Sequence, residues 1–110
     1  MLCKAVIPHR HAIADVDHAI DYYREHAGSL VAENFANEIV DAYQRLSRHP
    51  HIGSPRPSYD LDIFGVKSWS LRRFPHQIFY LVQQDLIELW RILHPKRDVS
   101  KTKLSRDSFQ

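Results

Sequence analysis

The stretch QIFYLVQQDLIELWRIL, residues 77–93, decides the fold. It divides into two runs rich in β-formers, Gln77 to Val82 and Leu86 to Leu93, joined only by Gln83 to Asp85. So short a link allows a tight turn, and strands joined that way lie antiparallel. Neither run alternates cleanly between apolar and polar residues. Both are therefore expected as central strands, covered in part on each face. Pro95 closes the second run. Upstream, Val66 to Phe74 is expected as a further strand, and Pro75-His76 as the turn that follows it. Phe79 and Tyr80 read as core, and Trp69 could be core or a stacking surface.

The first half carries a different period. Lys4 to Pro8 is a short apolar run, read as a first strand limited by Pro8. From Ala14 to Ala27, residues Val16, Ala19, Ile20, Tyr23 and Ala27 recur at helical spacing. Asp15 and Asp17 then fall near the helix start, where the dipole favours acids. Gly28 reads as a stop and Ser29 as a cap for the next helix. From Leu30 to Arg48 the stripe is Phe35, Ile39, Ala42, Tyr43 and Leu46, with Arg45 and Arg48 in the last turn and Pro50 beyond. Two helices with a minimal link form a hairpin. His51 to Gly65 holds two glycines and two prolines and reads as a loop.

These elements add up to an α+β, two-layer fold. The N-terminal strand and helical hairpin pack on one face of a small, mainly antiparallel sheet of about four strands. The 110 residues fit one domain, with a core over about 4–98 and a tail at 99–110. Fifteen Lys and Arg against thirteen Asp and Glu leave a net charge too small to imply an anionic partner. Their distribution is more informative, because the bases gather in the second half. A single cysteine, Cys3, rules out an internal disulfide and fits a reducing, cytoplasmic setting. No apolar run approaches the length of a membrane span.

Several side chains are candidates for chemistry. Arg72 and Arg73 are placed at a strand end, Arg91 interrupts an apolar strand, and Lys96 and Arg97 follow Pro95. Antiparallel pairing could gather these cations into a target- or phosphate-binding patch, for which the arginine fork is suited. The competing reading is a charged strand edge that resists aggregation. His94 could carry protons near neutral pH, although a strand-end histidine more often bonds backbone. The pairs His9/His11 and His49/His51 sit beside prolines without a cysteine cluster or zinc motif, so no metal or other cofactor is expected.

Several motifs together resemble the ParE/RelE toxin superfamily: Ala14-Asp15-Val16 with Ala19, Ile20 and Tyr23; Phe35 through Leu46; and His49-Pro50-His51-Ile52-Gly53. Leu71-Arg72-Arg73-Phe74-Pro75, Ile78-Phe79-Tyr80 and Ile92 through Asp98 complete the set, which spans about residues 4 to 100. The resemblance implies a toxin of a type II toxin–antitoxin system, neutralised in a hetero-oligomer by a cognate antitoxin and serving plasmid stabilisation. In the RelE branch such proteins cut messenger RNA on the ribosome. Arg72 and Arg97 match that branch's basic positions, and His94 would be the nearby proton carrier. The branch's late aromatic is missing from Asp98 to Lys103. The Leu93-to-Asp98 ending is more similar to ParE, which implies a non-enzymatic inhibitor of DNA gyrase. An inactive binding member of the fold is the third reading.

Overall fold

The chain runs β1 (Ala5–Pro8), α1 (Arg10–Ala27), α2 (Ser29–Arg48), β2 (Lys67–Ser70), β3 (Gln77–Val82) and β4 (Leu86–Leu93) in a computed structural model that describes residues 3–55 and 65–96. The two deciding strands have the expected bounds and form the centre of the sheet, whose order is β1-β4-β3-β2. The β2–β3 and β3–β4 pairs are antiparallel, while β1 lies parallel to β4. The sheet is therefore mixed, with a single parallel pair. Gln83 N–H donates to the Leu86 carbonyl at 2.8 Å and closes the tight turn. Pro8 costs little where it sits, at the last position of an edge strand.

Both helices cover one face. Ala12 and Ala19 of α1 and Phe35, Ile39, Ala42 and Leu46 of α2 share a buried core with Leu71, Ile78, Tyr80, Ile87, Leu89 and Ile92. Leu89 and Ile92 are three residues apart, which a regular strand would place on opposite faces. The register explains this. Phe79 pairs with Arg91 and Tyr80 with Leu89, so Trp90 is the extra residue of a bulge. Phe79, Trp90 and Leu93 are equally buried without joining the helix-side core, as expected for central strands covered on both faces.

Three boundaries differ from the expectation. Helix α1 begins at Arg10, four residues before Ala14, because Ala12 already starts the buried stripe. Asp15 thus sits in the second turn and serves the sheet rather than the helix end. Ser29 makes no capping bond. Gly28, with φ of 97°, alone ends α1 and starts α2, a conformation that glycine adopts without strain. The strand expected over Val66 to Phe74 contracts to Lys67–Ser70, and the Leu71 N–H bond to the His76 carbonyl (3.0 Å) closes the hairpin instead. Of the loop, Ser54 bridges Ser68. Residues 56–64, like the tail from 97 onward, lie outside the described residues.

The loop is pinned by Tyr80. Its hydroxyl donates to the Pro50 carbonyl and accepts from Gly53 N–H, both at 2.9 Å. A Cβ at position 53 would come within 2.5 Å of that hydroxyl and 2.8 Å of the Ser68 carbonyl oxygen, so only glycine fits there unshifted. Burial raises the Tyr80 pKa, against the opposing effect of the Gly53 N–H. Burial first and the Asp15 carboxylate second push Tyr43 up to about 12. In the unfolded chain a tyrosine ionises near 10. The stabilisation is therefore whole below about pH 10 and falls as pH rises towards about 12, where the unfolded chain has released a proton that the fold retains. Urea midpoints at about pH 8 and about pH 11 should diverge for the native chain and diverge less for Tyr43→Phe. Equal divergence in both would count against this origin.

Candidate functional site

The fold divides the arginines proposed as one patch. Beyond Leu89, β4 has outrun its pairing with β1, and the first turns of α1 stand where a strand would. The Ile92 N–H there donates to Asp15 Oδ2 at 3.0 Å. The same carboxylate takes Arg91 Nε and Nη2, both at 2.8 Å, in a two-pronged pair with side chains 16% and 11% exposed. Arg91, expected among the target-binding cations, is thereby paired within the fold. Its site in the strand reflects a structural demand, a counter-charge for a carboxylate held largely out of water.

Arg72 and Arg73 behave differently. Both are exposed, lie in the bend after β2 rather than within a strand, and form no ion pair among the described residues. The Arg73 backbone N–H donates to Glu38 Oε2 of α2 at 2.9 Å, which fastens the bend to the helix. The two arginines form one wall of a groove of about 420 Å³ whose other wall is α2, with Arg45 and Arg48. Arg45 and Arg48 had been read only as a favourable charge at a helix end. Their spacing of three places both on one helix face and is the signal that could have put them in the site. Trp69, half-buried against the core, lines the floor.

The remaining candidates lie elsewhere. Lys96 is exposed after β4, and its backbone N–H donates to His94 Nδ1 at 3.1 Å. His94 meets buried His76 edge-on, with ring centroids 5.3 Å apart, and is not among the groove residues. It is thus packed at a strand end and bonded to backbone. Arg97 lies outside the described residues. His9 pairs with Glu88 at 3.1 Å, and among the described residues no three His, Cys, Asp or Glu side chains gather as a metal ion would require. No helix among them is long and apolar enough to cross a membrane.

Comparison with known proteins bears on the family and the fold. Residues 6–99 match the family model for the ParE toxin of the type II toxin–antitoxin system parDE. A solved structure described as the chromosomal ParDE TA system from P. aeruginosa superposes with a TM-score of 0.70 at 27% identity, over 84% of this chain and 96% of that one. A search among curated proteins finds no match.

The division of the arginines has a measurable consequence. Arg72→Ala and Arg73→Ala should change unfolding free energy by no more than about 0.5 kcal/mol, as exposed sites do. Arg91→Ala should cost about 2–3 kcal/mol, because it strands the Asp15 carboxylate. Urea denaturation of the three variants gives the ranking, and an Arg91 variant as stable as the other two would overturn it.

Proposed function

The chain belongs to the ParE toxin family of type II toxin–antitoxin systems, and from that premise we propose that it arrests growth by binding DNA gyrase rather than by catalysis. A cognate antitoxin holds it inactive in a cytoplasmic hetero-oligomer.

One observation carries the choice between a binding inhibitor and a nuclease. Of the residues that a nuclease would combine, Arg72 lines the α2 groove, His94 does not, and Arg97 lies outside the described residues. With His94 outside that groove, phosphate contacts at Arg72 lack beside them the proton carrier that the resemblance assigns to a 2′-hydroxyl attack. Binding makes no such demand, and exposed arginines tethered to a rigid helix suit contact with a protein or nucleic-acid surface. Exposed apolar side chains, Ile13 on α1 and Leu30 and Val40 on α2, offer anchors for an antitoxin segment.

The purified chain is expected to abolish gyrase supercoiling in vitro, and addition of the antitoxin to restore it. In cells, messenger RNA should stay intact after induction. Undisturbed supercoiling at saturating toxin would refute the gyrase target, and cleaved transcripts would return the nuclease reading.

A further inference from the structure

We infer that the groove between α2 and the β2–β3 bend is a binding site for single-stranded nucleic acid, with the strand running along α2. This goes beyond the gyrase reading and does not depend on it.

Three features of the groove point to this ligand. The first is charge on both walls. Arg45 and Arg48 stand on α2, Arg72 and Arg73 stand on the bend, and none forms an ion pair among the described residues. Of the two carboxylates in the groove, Glu38 is already engaged by the Arg73 N–H, and Asp41 remains. Four arginines lining one cleft can grip the phosphates of a chain laid in it.

The second feature is length. The α2 wall extends from Asn34 to His49, about 22 Å at 1.5 Å per residue. That is elongated for a compact small ligand and natural for a polymer. The third is the kind of surface. Apart from Ala42, the sole apolar contributor is Trp69. Two apolar side chains offer little to anchor an amphipathic peptide. An indole beside cations is instead the arrangement on which unstacked bases rest.

Trp69 also supplies the readout. Trp90 is the other tryptophan and is 1% exposed, so a ligand in the groove should quench Trp69 selectively. The test titrates the purified chain with a fluorescein-labelled twenty-nucleotide poly-dT, following anisotropy and tryptophan emission, with ATP and poly-glutamate as parallel ligands. The expected result is oligonucleotide binding with quenching, and binding by ATP at least tenfold weaker. Arg45→Ala and Arg72→Ala should each weaken it several-fold and lower the log–log salt slope by about 0.7, the value for one phosphate contact on a single strand. Arg10→Ala, at an exposed arginine that opens α1 just after edge strand β1, should change only what its charge contributes at long range. Circular dichroism melts of each variant guard against misfolding. Loss of binding equal in the Arg10 and groove variants, or preferential binding of poly-glutamate, would overturn the assignment. Because no gyrase is present, failure here leaves the gyrase reading untouched, and the reverse also holds.

Discussion

The architecture depends on one carboxylate. Asp15 accepts three hydrogen bonds at the point where β4 runs past the end of β1. Without it, the Ile92 N–H would be a sheet donor facing neither strand nor water, and such a group costs roughly 1–3 kcal/mol. With it, α1 takes over from β1 as the neighbour of β4. The helix is thereby fixed in height and rotation against the sheet. Ala12 and Ala19 follow into the core on the same side, and α2 follows through the one-residue link at Gly28.

That constraint also decides which charges are left for function. Arg91 neutralises the carboxylate and becomes part of the scaffold. The bulge at Trp90 is the backbone change that lets Leu89 and Ile92 share the helix side while Arg91 reaches Asp15. Arg72 and Arg73, three strands away from β1 in the sheet order, face the flank of α2 and meet Arg45 and Arg48 there. Two arginine populations of identical chemistry thus meet opposite surroundings, one beside a largely buried acid and the other beside solvent.

How much of this could be read beforehand follows from the range of the interactions. The central strands and their turn were legible to the residue, since β-propensity and a three-residue link are local. The helix pair and its one-sided packing were legible from period and length. The start of α1 was not, because Ala12 is recognisable as core only once the sheet is in place, and Asp15 near a helix start has an adequate local explanation in the dipole. The role of Arg91 rests on a contact spanning 76 residues, which no local pattern reveals. For the same reason Arg45 and Arg48 were visible as a helix face but not as partners of Arg72 and Arg73. The strand expected through Phe74 stopped at Ser70, where the bond from Leu71 to His76 closed a hairpin that propensity alone would have extended.

The central claim is that Asp15 and Arg91 act as one unit holding helix to sheet. A double-mutant cycle with Asp15→Ala, Arg91→Ala and the combined variant, followed by urea denaturation, measures that coupling directly. The account predicts a coupling energy of about 1.5 kcal/mol or more, with the double variant nearly as stable as the worse single one. Additive effects, with coupling indistinguishable from zero, would contradict it.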